Sequence, residues 1–217
     1  MLALSRHRAA ARAIAVAGGS THQCASVHLS HIGSRPIPLP PNVSFKHTPT
    51  SLEVTGPLGN TTLTLFPFVK IAQSPTELSV TVEDAEIKQQ RQMWGTTRTH
   101  IANAITGMTE GFSVPLFLVG VGYRAAMEED PRGTADGGNG RRLNMKLGYS
   151  HSVYVPIPPH IKAEVPLPTK ITLFCTDKHL LGLFSAKLQS LRPPEPYKGK
   201  GIFIGNETRP IKSVKKK

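Results

Sequence analysis

Three cations fall within nine residues near the end of the chain: Arg192, Lys198 and Lys200 in Leu191-Arg-Pro-Pro-Glu-Pro-Tyr-Lys-Gly-Lys-Gly-Ile202. The flat ring of Tyr197 stands among them, and Gly199 and Gly201 remove side chains beside the lysines. A partner backbone approaches closely only where Cβ is missing, so lysines beside glycines suit a phosphate chain. Arg209, Lys212, Lys215, Lys216 and Lys217 continue the basic run to the C-terminus. No series of aromatic rings accompanies them, as it does in single-strand binders, so shape and charge of a folded backbone would be read rather than base sequence. The same letters also fit a solvated basic loop with a tail that only adds solubility, and the rest of the chain has to decide.

Other groupings carry less. Gly120-Val-Gly-Tyr-Arg-Ala125 has the spelling of a dinucleotide fingerprint, but that motif needs a helix after the glycines within a parallel βαβ unit. Here an acidic, Gly/Pro-containing stretch follows, so a strand with glycines at a close approach is expected and no cofactor is called for. Ser150-His151-Ser152 places a nucleophile beside a base, yet neighbours in a strand point to opposite faces. Glu128, Glu129 and Asp130 read as a solvated acidic loop, and the nine histidines are scattered. Cys24 and Cys175 suggest neither a disulfide framework nor a zinc site. No catalytic residue and no metal ligand set assembles, so an enzyme is not expected. No apolar run approaches the roughly 20 residues that span a bilayer.

Charge distribution favours a polyanion as partner. The net charge of +12 is not spread evenly. Residues 1–52 hold five Lys or Arg and no acid, residues 53–186 hold twelve of each sign, and residues 187–217 hold nine basic residues against two acids. A neutral body with cationic ends points to docking by one part of the molecule.

The elements that position the basic stretch follow from periodicity. Residues 1–33, with Arg6, Arg8 and Arg12 among Leu2, Leu4 and Ile14, match a mitochondrial transit peptide or a basic arm. A proline-rich lead-in, Ser34–Pro41, precedes strands over Val43–Lys46, Ser51–Thr55, Thr61–Phe66 and Leu78–Val82. A helix is expected from about Lys88 to Thr106 on the spacing of Ile87, Trp94, Ile101, Ala102 and Ile105, with Gly107 as its C-cap. After Phe112, Pro115–Tyr123 reads as a buried strand and Arg141–Leu147 as its hairpin partner, joined by a loop over Glu128–Gly140. Strands over Val153–Ile157, Ile161–Val165 and Ile171–Phe174 lead to a helix ending at Leu191. Pro41-Asn-Val-Ser-Phe with Leu52-Glu-Val matches Pro159-His-Ile-Lys-Ala with Ile171-Thr-Leu in pattern, a helix following each, which indicates an internal repeat. The expected units are 34–112 and 113–191, with 192–217 as an extension on the second copy only.

Four motifs in order are specific in combination: Thr106-Gly-Met-Thr-Glu-Gly-Phe112, Leu118-Val-Gly-Val-Gly-Tyr-Arg-Ala125, Leu147-Gly-Tyr-Ser-His151 and Pro194-Glu-Pro-Tyr-Lys-Gly-Lys-Gly-Ile202. Over roughly residues 34–205 the chain resembles the universal large-subunit ribosomal protein number six family, and with its N-terminus a mitochondrial member. The resemblance implies an α+β fold of two tandem similar domains, each an antiparallel sheet with a helix packed on one face. It implies a non-catalytic constituent of the large ribosomal subunit in the mitochondrial matrix. Its partners would be large-subunit ribosomal RNA and neighbouring ribosomal proteins, with translational GTPases docking nearby and no membrane. Arg192, Tyr197, Lys198, Gly199, Lys200, Gly201, Arg209, Lys212, Lys215, Lys216 and Lys217 would then face ribosomal RNA. Pro193 stands where the family often carries a second arginine, and Ile202-Phe-Ile204 is more apolar than usual, which points to packing against protein. The alternative is a non-ribosomal protein-binding module of duplicated α+β domains.

Overall fold

Alternation of apolar and polar residues builds the first domain. The structure, a computed structural model, describes residues 30–134 and 138–213. Its first strands are β1 (Ile37–Pro38), β2 (Ser44–His47), β3 (Ser51–Gly56), β4 (Gly59–Thr64), β5 (Val69–Gln73) and β6 (Glu77–Val82). In β3, Leu52 and Val54 are buried while Glu53 and Thr55 face out, as a pleat with one covered side requires. Helix α1 (Lys88–Thr109) buries Trp94, Ile101, Ala104, Ile105 and Met108 along one stripe. Trp94 Nε1 donates to the Val80 carbonyl at 2.7 Å, fastening the helix to β6. Ile87, expected on the buried stripe, is the N-cap residue and is exposed.

Gly107 does not end α1. The helix continues to Thr109, and Gly111, at φ +74°, reverses the chain with its N–H bonded to the Thr106 carbonyl. A Cβ at Gly107 would clash with the carbonyl oxygen of Thr176 in the second domain. That glycine is a contact between domains, not a stop signal.

The second domain comprises β7 (Phe112–Val119), β8 (Arg124–Glu129), β9 (Arg141–Lys146), β10 (Val153–Pro156), β11 (Lys162–Leu167), β12 (Lys170–Cys175), α2 (Lys178–Leu191) and β13 (Gly201–Ile204). Two expectations fail here. The hairpin partner of β9 is β8, whereas β7 pairs with β12 and β13. Glu128 and Glu129 belong to β8 and not to a loop, because Ala125 and Met127 give this strand a small apolar side that packs into the core.

The two domains share one topology. Each holds two sheets rather than one: β2-β3-β4 with β1-β6-β5, and β8-β9-β10 with β11-β12-β7. Counted in chain order, β1–β6 correspond to β7–β12, and a helix follows the sixth strand each time. The sequence match aligned β2 and β3 with β11 and β12, three strands out of step. Both β3 and β12 are central strands with the same alternation, which is all a pattern can read. In the second domain β13 adds a fourth strand at the outer edge of β7.

Candidate nucleic-acid interface

The basic stretch is a closed loop. Helix α2 ends at Leu191, and two prolines at 193 and 194 carry the chain away from the helix axis. The loop is fastened at its base, where the Ile202 amide donates to the Arg192 carbonyl at 3.0 Å, and across its middle, where Glu195 N–H meets the Lys200 carbonyl at 2.8 Å. β13 then pairs antiparallel with β7, Gly201 opposite Val119 and Phe203 opposite Phe117. The apolar Ile202 is 1% exposed, as packing against protein demands.

Arg192 is the brace of this loop. Its Nε donates to the Tyr123 hydroxyl at 3.0 Å, its NH2 group reaches Glu195 Oε1 at 3.2 Å, and its guanidinium carbon lies 5.3 Å from the Tyr149 ring centroid. Tyr149 and Tyr123 together push its already high pKa further up, so it stays charged. The Tyr149 hydroxyl also donates to the Leu191 carbonyl at 2.9 Å, pinning the helix end. Three loops therefore meet: 120–123, 147–152 and 193–200. The glycines that spell a dinucleotide fingerprint make room here. A Cβ at Gly120 would lie 2.9 Å from the Tyr123 ring and one at Gly148 3.2 Å from it, while the residues after Gly122 form β8, not a helix.

The expected phosphate ligands divide into three sets. Lys198 is exposed and Lys200 half-buried, and neither ammonium has a hydrogen-bond or ion-pair partner among the described residues. Tyr197 is 56% exposed beside them. Arg192 and Arg209 are engaged internally, the latter with Glu207 at 3.1 Å. Glu207 also accepts from Gln189; this hydrogen bond and Arg209 hold its carboxyl below the usual carboxylate range, against the opposing effect of burial. Gly201 does not open a path for a partner: a Cβ there would lie 2.6 Å from Pro194 Cα, so its bareness admits the protein's own chain. Gly199, at φ +64°, is a left-handed turn residue that aims the flanking lysines. Lys212 lies in a tail that returns to the loop, its amide 2.8 Å from the Pro196 carbonyl. Lys215, Lys216 and Lys217 fall outside the described residues. Sequence reasoning missed Tyr123, Tyr149, Glu195 and Gln189. The first two were flagged only by the glycines around them.

His151 stacks on Tyr149 at 5.7 Å between centroids rather than activating a serine. Among the described residues no cluster of His, Cys, Asp or Glu could hold a metal ion, and no helix is long and apolar enough to cross a membrane.

The family model for ribosomal protein L6 matches residues 39–111 and 119–204, which covers most of both domains and the whole braced loop. The chain belongs to the ribosomal protein L6 family. Relatives named large ribosomal subunit protein uL6 include that of Paramagnetospirillum magneticum, 38% identical over 189 residues, covering 87% of this chain and all of the relative. That of Geotalea daltonii is 40% identical over 180 residues, covering 83% of this chain and 94% of the relative. That of Burkholderia multivorans is 39% identical over 189 residues, covering 87% of this chain and all of its own length. Ribosomal protein L6 is a structural, non-enzymatic family, in keeping with a cluster built from a braced loop and projecting cations.

Proposed function

We propose that this chain is a structural constituent of the large ribosomal subunit whose second domain and C-terminal extension clamp folded ribosomal RNA. The observation that carries the reading is the pair Lys198 and Lys200: two ammonium groups without partners among the described residues, held out on a loop that Arg192, Tyr123 and Tyr149 brace. Preorganised cations lose little entropy on meeting a phosphate. Tyr197, exposed beside them, packs on a sugar or base edge. Lys212 and the terminal lysines add further backbone contacts. The proposed location is the region where translational GTPases dock, and the proposed compartment is the mitochondrial matrix. The second rests on the acid-free, arginine-bearing residues 1–33, which precede the family match at residue 39.

One preparation tests the clamp and the compartment together. Tagged full-length protein is expressed, mitochondria are isolated, and their large subunits are sedimented. The wild-type chain co-sediments and its mature N-terminus begins between roughly residues 18 and 35. The K198E/K200E variant remains folded and stays at the top of the gradient. Full incorporation of that variant would sink the clamp, and an intact Met1 on the organellar protein would sink the transit reading.

A further inference from the structure

The outward face of the β8-β9-β10 sheet carries cations that no other described residue pairs with. Register places Arg124 directly opposite Lys146, Ala126 opposite Asn144 and Glu128 opposite Arg142, with Tyr154 beside Asn144 on β10. The alternate residues Ala125, Leu143, Met145 and Val155 are buried, so these side chains share the solvent side. Glu128 is already occupied: it accepts from Asn144 Nδ2 at 2.6 Å and from Arg142 at 3.2 Å. Arg142 in turn lies 4.2 Å over the half-exposed ring of Tyr154. Arg124 and Lys146 are left exposed, with no ion-pair partner among the described residues.

Like charges directly opposite on neighbouring strands repel and weaken the pairing. Their Cβ atoms stand about 5 Å apart, so two side chains of this length can reach a single anion placed between them. The pair lies at the end of the sheet nearest the clamp. Arg124 follows Tyr123, which bonds Arg192, and Lys146 precedes the Leu147–Ser152 loop, which supplies Tyr149. An anion bridging Arg124 and Lys146 thus continues the surface presented by the Lys-Gly-Lys-Gly loop. The arginine-backed ring of Tyr154, two residues farther along the face, suits a sugar or base better than a carboxylate.

We infer that the outer face of β8-β9-β10 is a second ribosomal-RNA contact, in which Arg124 and Lys146 hold one backbone phosphate between them and Tyr154 receives the adjoining nucleotide. This rests on the proposed clamp and extends it from a loop to a sheet face. The test is lysine acylation read by mass spectrometry on the wild-type chain. It compares free full-length protein, intact large subunits, and large subunits after ribonuclease digestion. Lys146 is expected to be protected several-fold in the subunit and to regain its free reactivity after digestion. Equal reactivity of Lys146 in the subunit and in free protein overturns the inference. So does protection that survives digestion, which assigns the face to a protein neighbour. Lys198 and Lys200 are read in the same samples: their protection without that of Lys146 overturns the sheet contact alone, and exposure of Lys198 and Lys200 overturns the clamp beneath it. Full-length R124Q/K146Q should also leave the subunit at lower salt, with a log–log salt slope shallower by about 1 to 2.

Discussion

Arg192 shows how cations that look alike in a sequence acquire different surroundings in the fold. Three cations in nine residues predict a phosphate site, and each looks equivalent in the sequence. Folding distinguishes them: Arg192 is spent on Tyr123, Glu195 and the Tyr149 face, whereas Lys198 and Lys200 are not. A planar guanidinium can serve a hydroxyl, a carboxylate and a ring at once, which an ammonium cannot. Arg192→Lys should therefore speed amide hydrogen exchange at Glu195 and Ile202, the two residues whose N–H groups close the loop, and Tyr123→Phe should do so to a smaller degree. Lys198→Arg should leave both amides unchanged. If R192K exchanges as slowly as wild type, Arg192 is not the brace.

Glycines at the level of secondary structure give a paired prediction. In an ordinary helix interior Gly→Ala gains up to about 1 kcal/mol. Gly182 in α2 has nothing within 4 Å of its added Cβ, so Gly182→Ala should follow that rule. A Cβ added at Gly107 in α1 would clash with the Thr176 carbonyl oxygen, so Gly107→Ala should destabilise by about 1–3 kcal/mol through overpacking. Urea unfolding of the two variants checks the opposite signs. The elements themselves were legible in unequal measure. β3, β6 and β12 announce themselves by clean alternation, and α1 and α2 by their apolar stripes. β8 does not, because Arg-Ala-Ala-Met-Glu-Glu presents too little apolar surface to separate it from a loop. β13 is four residues long with glycines and prolines before it, and only its pairing with β7 makes it a strand. The Gly107 stop was misread because the reason for a glycine there lies some seventy residues away, in the other domain.

Two cores, not one, hold the molecule. Among the described residues the first gathers twelve buried apolar side chains around α1, and the second eighteen around α2. The only tryptophan, Trp94, is buried in the first. On thermal unfolding, Trp94 fluorescence should therefore report an earlier transition than circular dichroism, which sees both domains. Coincident curves would mean that the Gly107–Thr176 contact makes the pair one cooperative unit. The duplication was visible in the sequence, though its alignment was not. The asymmetry that matters was visible too: only the second copy continues past its helix.

That asymmetry acts in time as well as in space. Chains emerge from synthesis N-terminus first, and domains tend to fold in that order. β13 is the last strand made among the described residues, and the base of the lysine loop is closed only when Ile202 has met both Leu118 on β7 and the Arg192 carbonyl. A chain interrupted before Gly201 would carry every core residue but Ile202 and still present an open β7 edge and a slack loop. The loop is thus closed at its base only when β13, the final strand among the described residues, is in place, so the segment that carries Lys198 and Lys200 takes its finished form among the last of the chain.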